Sequence, residues 1–229
     1  MQNYSSLLVF TIVLLVAAFG AFFYLTRPAL APTENPAPLQ SGVSGEGIHY
    51  EVVPEESSAE FSIGEVLNGK ENIVVGTTKN LTGAVTLDVG NPKEAIVGLF
   101  RVNARTLKTD SERRDGVVSR SILRSDEPAN EFIEFKTRAI VGLPEKIEAA
   151  TGEFSFQIVG DLTIAGVTRE VSWDAHATVT SEKITASAGT KVLYSDFGLS
   201  VPQVPFVASV EKEVSLTITL VAVRGAGAN

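Results

Sequence analysis

The chain has 229 residues, no cysteine and two histidines, and its 27 carboxylates outnumber its 19 lysines and arginines to leave a formal charge of −8. That balance excludes a nucleic-acid binder, which gains affinity by neutralising phosphates with Lys and Arg. The missing cysteines exclude disulfides, thiolate metal sites, c-type haem attachment and lipidation on an N-terminal Cys, but they leave the compartment open, since disulfides are not obligatory in oxidising ones.

Residues 7–25 read LLVFTIVLLVAAFGAFFYL, opening on Leu7 and closing on Leu25 without a charge. Such a run spans a hydrocarbon core of ~30 Å at about 1.5 Å per helical residue. A helix apolar all round needs an enclosing protein or a bilayer, and one β-domain cannot enclose it. The competing reading is a cleaved signal peptide. No Lys or Arg precedes the run, however, and Pro32 follows the small-x-small site Ala29-Leu30-Ala31. The expectation is an uncleaved transmembrane anchor over residues 1–26. Arg27 lies on its C-terminal side, so the positive-inside rule taken alone would place the following domain in the cytoplasm. Residues 27–46, with Pro28, Pro32, Pro36 and Pro38 followed by Gly and Ser, read as a linker. In extended polyproline form, at about 3.1 Å per residue, it reaches roughly 60 Å.

From Gly47 onward apolar residues alternate with polar ones over short stretches bounded by Gly, Asn, Pro and Asp, the pattern of half-buried antiparallel strands. Candidate strands are 59–63, 81–89, 96–102, 132–140, 154–164, 170–178, 184–193 and 214–223. About eight strands over residues 47–224 predict an all-β domain, either a closed barrel or a two-sheet sandwich, with a disordered tail at 225–229. One segment departs from the alternation. Thr109 and Glu112 have capping-box spacing, and Val118 and Ile122 lie four apart, which predicts a short helix over 113–123 that joins two strands and covers one mouth.

Chemistry-bearing patterns are sparse. His49 and His176 both fall in strand-like stretches, and without cysteines a metal site would need them to converge with carboxylates. His176, Ser195 and Asp196 compose a triad on paper but lack a nucleophile elbow. No dinucleotide or Walker loop is present, and Glu55-Glu56 reads as a solvated turn. The sequon Asn80-Leu81-Thr82 matters only in a glycosylating pathway. No catalytic residue, metal or cofactor is therefore expected, and an enzyme is the least favoured class. A cluster of cations, Arg101, Arg105, Lys108, Arg113, Arg114, Arg120 and Arg124, outnumbers Asp110, Glu112 and Asp115. It reads either as a mouth for an anionic head group, with Arg113, Arg114 and Arg120 foremost, or as a solvated helix whose arginines pair with nearby carboxylates.

The stretch from Gly160 to Arg169, GDLTIAGVTR, closely resembles the GxLTIxGVT signature of the YceI-like polyisoprenoid-binding proteins. Residues 106–115 resemble that family's stretch ending in Arg-Asp, and residues 195–198 resemble its SDFG element; Tyr194 replaces the usual Arg before SDFG, and Asn130-Glu131 the usual Tyr-Pro. The resemblance covers residues 48–224. It implies a lipocalin-like antiparallel barrel, a lipid partner such as an isoprenoid or isoprenoid quinone, no catalytic residue, and export from a bacterial cell. Joined to the anchor, it predicts a single-pass protein of the cytoplasmic membrane with its barrel outside the cytoplasm. Phe61, Ile63, Phe100, Val102, Phe132, Phe135, Leu162, Ile164 and Trp173 are the candidates for the pore or its packed ends. A long chain moved from water into such a pore gains about 0.8 kcal/mol per buried CH₂. The alternative is a cell-envelope interaction module whose barrel is filled by its own side chains.

Overall fold

The computed structural model describes residues 31–32, 47–88, 91–92, 95–145, 151–203 and 207–225. The expected anchor over residues 1–26, most of the linker and all but Gly225 of the expected tail lie outside them. No described helix is long and apolar enough to cross a membrane.

Thirteen strands occur among the described residues: β1 (Ile48–Val52), β2 (Ser58–Leu67), β3 (Lys70–Thr78), β4 (Leu81–Thr82), β5 (Ala84–Leu87), β6 (Ile96–Val97), β7 (Phe100–Asn103), β8 (Phe132–Val141), β9 (Gly152–Ile164), β10 (Val167–Val179), β11 (Lys183–Leu193), β12 (Val207–Val210) and β13 (Glu213–Arg224). All join one antiparallel sheet. β1 and β2 lie end to end along β13, Val52 opposite Ala222 and Ala59 opposite Ile218. β3 and β5 then lie along β2 and β1, and β6 and β7 pair β5 and β4. From β7 the sheet runs through β8, β9, β10 and β11 back to β13. The barrel is thus nearly closed, and Thr77 and Lys108 stitch β3 to the chain beyond β7 by reciprocal backbone bonds of 2.8 and 2.9 Å.

The count of thirteen exceeds the expected eight because staves of the barrel are broken. Pro54, which opens the turn Pro54–Glu56, separates β1 from β2; its ring removes a ladder donor. Gly83 separates β4 from β5. The strand β3 escaped the alternation rule because Gly76 and Thr78 occupy two of its buried positions, where an apolar residue was expected. Two hairpins turn tightly at Asn68-Gly69 (φ 51° and 74°) and Ala165-Gly166 (φ 47° and 79°). Left-handed φ at both central residues is the type I′ geometry that matches the twist of the flanking strands.

The expected helix is present as α1 (Glu112–Val117), continued by a π-helical turn over Val118–Ile122. The capping box does not form. Ser111 is the N-cap, and Thr109 instead donates its backbone N–H (2.7 Å) and hydroxyl (2.8 Å) to Asp115 Oδ1, tying the approach segment to the helix it precedes. Two apolar clusters fill out the barrel wall. One gathers Tyr50, Val52, Leu81, Leu87, Val179, Ile184 and Leu220; the other, on the helix side, gathers Leu107, Leu123, Leu162, Ile164 and Phe197.

Candidate functional site

Strand alternation directs one side chain in two into the barrel. Two chambers result. The lower one has a volume of about 220 Å³ and is walled by apolar side chains, Glu60 apart, from Phe100, Phe135, Leu162 and Trp173 down to Ile140, Phe154 and Phe156. The upper one, about 540 Å³, lies under α1 and carries a polar rim of Glu65, Ser111, Arg113, Arg114 and Tyr194 among apolar neighbours such as Ile63, Val74 and Val118. The two share Phe61, Leu107, Ile133, Ile164 and Leu216, which form a waist between them.

Glycines in the wall leave room for several of the rings. Phe61 faces Gly76 in register across β2 and β3, and a Cβ at Gly76 would stand 2.2 Å from Phe61 Cε1. A Cβ at Gly83 would meet the Phe100 ring at 2.5 Å, and one at Gly160 would meet Phe135 Cζ at 2.7 Å. These rings occupy the space that a side chain would need against the wall, rather than facing a larger neighbour there. Phe135 also packs edge-on against Trp173, centroids 5.8 Å apart. Trp173 is buried, and its Nε1 finds no hydrogen-bond partner among the described residues.

Of the expected pore residues, Phe61, Phe100, Val102, Phe135, Leu162, Ile164 and Trp173 line the lower chamber, and Ile63 the upper. Phe132 lines neither chamber. It lies three positions before Phe135, an odd spacing that no regular strand brings to one face, and Arg101 instead covers its ring at 5.8 Å. Ile133 takes the inward place. A bulge between Thr137 and Ala139 then resets the alternation, which is why Ile140 also faces inward. Phe154, Phe156 and Ile158 were findable from the sequence, since they share the parity of Leu162 and Ile164. Leu107, beyond the end of β7, carried no such signal.

The cationic cluster disperses on folding. Arg101 bonds Glu134 (2.6 Å), Arg105 pairs with Glu131 (2.9 Å), and Lys108 reaches Asp115 (3.4 Å). Arg114 bridges the buried Glu65 (3.2 Å) and Asp110. Of the three head-group candidates, Arg113 and Arg114 border the upper chamber, whereas Arg120 does not and folds its guanidinium towards Gly116. Arg113 is exposed. Among the described residues no three His, Asp or Glu side chains converge as metal ligands would. His49 bonds Thr86 and His176 bonds Ser155, each through Nδ1, and His176 is exposed on the outer wall.

The sequence matches the YceI-like domain over residues 50–222. No curated protein matches the chain. Among solved structures, BcnA of Burkholderia cenocepacia is similar with a TM-score of 0.58 at 16% identity, over 74% of this chain and 98% of that one. A polyisoprenoid binding domain from Saccharophagus degradans, described as implicated in plant cell wall breakdown, is similar with a TM-score of 0.61 at 11% identity, over 78% of this chain and 99% of that one. At these identities the likeness shows the fold.

Proposed function

We propose that this chain, which belongs to the YceI-like family, binds a long apolar lipid inside its barrel without transforming it, and does so as a membrane-tethered protein outside the cytoplasm. The observation that carries the reading is the pair of adjoining chambers, walled by apolar side chains through the length of the barrel. A barrel packed solid by its own residues would leave no such volume, so the structural-module alternative has less support. Transfer of hydrocarbon into this interior is favourable by about 0.8 kcal/mol per CH₂ and needs no reactive group. An isoprenoid or an isoprenoid quinone has the required chain, and the similarity to a polyisoprenoid binding domain supports that class. The charge-free run over residues 7–25 supports the tether, which would keep the barrel close to the phase in which its ligand dissolves.

Mass spectrometry of organic extracts from the purified full-length chain tests the proposal. A stoichiometric prenyl lipid is the expected result. Protein that is repeatedly lipid-free, and that takes up no prenol when incubated with one, would remove it.

A further inference from the structure

The waist between the chambers is built from one residue of several staves, and one of its members is placed differently from the rest. Phe61 is opposite a glycine, and its ring occupies the space where a side chain on Gly76 would begin. Leu107, Ile133, Ile164 and Leu216 are aliphatic and branched, with little freedom to clear the bore. The free cross-section at this level therefore depends on how far the Phe61 ring can lie back on β3, and that depends on Gly76 having no Cβ. Gly76 is not in a left-handed conformation, so its lack of a side chain is not explained by the backbone.

Resting on the lipid-binding reading above, we propose that Phe61 and Gly76 form the chain-length determinant of the barrel: the lower chamber is a tail subsite that a single linear chain enters only while the Phe61 ring lies over Gly76. The polar groups fit this polarity of binding. Glu65, Ser111, Arg113, Arg114 and Tyr194 border the upper chamber, while the lower is apolar but for Glu60 at its wall. The ligand therefore sits head-up and tail-down, with the tail crossing the waist. A lipid with two bulky tails does not fit past a waist that one ring controls. A short chain is held in the upper chamber alone and is indifferent to the waist.

The test measures retention of farnesol, a short prenol, and solanesol, a long one, by the full-length chain in digitonin micelles. Wild-type protein is expected to retain both. Gly76→Ala pushes the ring into the bore and should weaken solanesol about tenfold or more, the scale of one over-packed contact, with farnesol unchanged. Gly76→Ala combined with Phe61→Ala should restore solanesol. Phe61→Trp, which leaves Gly76 intact, should narrow the same passage and give the same selective loss should Gly76→Ala fold poorly. Equal weakening of both prenols, or undiminished solanesol in both single variants, overturns the waist while leaving lipid binding in place. Wild-type protein that retains neither prenol removes the lipid-binding reading, and this inference with it.

Discussion

Arg105 and Glu131 form an ion pair inside the protein, Nη1 to Oε2 2.9 Å, with only 6% of either side chain exposed. The pair joins the end of β7 to the start of β8 across the excursion that contains α1. Its remaining valences are filled: Asn103 Nδ2 donates to Glu131 Oε1 (3.0 Å), and Arg105 Nε donates to the carbonyl of Ser125 (2.5 Å). The Asn130-Glu131 dipeptide, which departs from the family's Tyr-Pro, thus supplies a buried carboxylate that holds the helical cap to the barrel.

Glu131→Ala should destabilise the protein by about 3–5 kcal/mol, because it leaves a buried guanidinium without its counter-ion. Replacing both partners, Arg105→Met with Glu131→Leu, should cost much less, since an apolar pair of similar volume has no charge to desolvate. Urea denaturation of wild type and the two variants decides the matter. A single mutant no weaker than the double would mean that the charge finds another partner or water.

Acidification should loosen the same region through Asp115. Burial by itself would raise the pKa of this carboxyl, but the Thr109 backbone N–H and hydroxyl and the Lys108 ammonium hold it below the ordinary carboxylate range. A depressed folded-state pKa stabilises the protein above the unfolded-state value, and that contribution disappears as pH falls through the folded-state value. Wild type should therefore lose stability on entering the acid range by more than Asp115→Asn does, and the two should converge at the lowest pH. Parallel stability curves would show that Asp115 does not tie residues 109–115 together.

Two glycine substitutions should differ in size for separable reasons. At Gly69 a Cβ meets nothing within 4 Å, so Gly69→Ala carries only the strain of φ +74°, about 1–2 kcal/mol. At Gly160 a Cβ would lie 2.4 Å from the Lys136 carbonyl oxygen as well as against Phe135. Backbone cannot yield as a ring can, so Gly160→Ala should cost about 3 kcal/mol or more, the upper end for over-packing. Thermal unfolding of both variants ranks them. The reverse order would mean that β8 and β9 separate more readily than their ladder implies.

Much of the barrel is legible in the sequence because alternation is a local signal: the buried Ile184 lies between the exposed Lys183 and Thr185, and the buried Ala175 and Ala177 flank the exposed His176. Legibility ends where a stave is broken or its interior is left vacant of side chains. Pro54 and Gly83 divide staves that pair as continuous units, and Gly76 removes the apolar position that would have marked β3. Phe132 is aromatic like its neighbours in the candidate set, but it opens β8 at the opposite parity to Phe135. The pairing partners of the cationic cluster are illegible for a different reason, since Glu131, Glu134 and Glu65 lie outside the stretch of residues 101–124 that holds the cations. Ion pairing across strands is invisible to a count along the chain.

Trp173 offers a direct report on occupancy of the lower chamber, because it is the chain's one tryptophan and only 6% exposed. Its indole shares the chamber wall with Phe135, Leu162 and Ile158, so it should emit as a buried indole and resist quenching by acrylamide. A long-chain alcohol brominated near its terminal methyl places the heavy atom at the tail. If tails descend through the waist, this probe should quench Trp173, whereas the isomer brominated beside the hydroxyl should quench it weakly. In Gly76→Ala the tail-brominated probe should lose most of its effect, since the chain stops above Phe61. Quenching that is equal for the two isomers, or stronger for bromine beside the hydroxyl, would mean that the head rather than the tail occupies the lower chamber. The unpartnered Trp173 Nε1 would then be the donor that receives it.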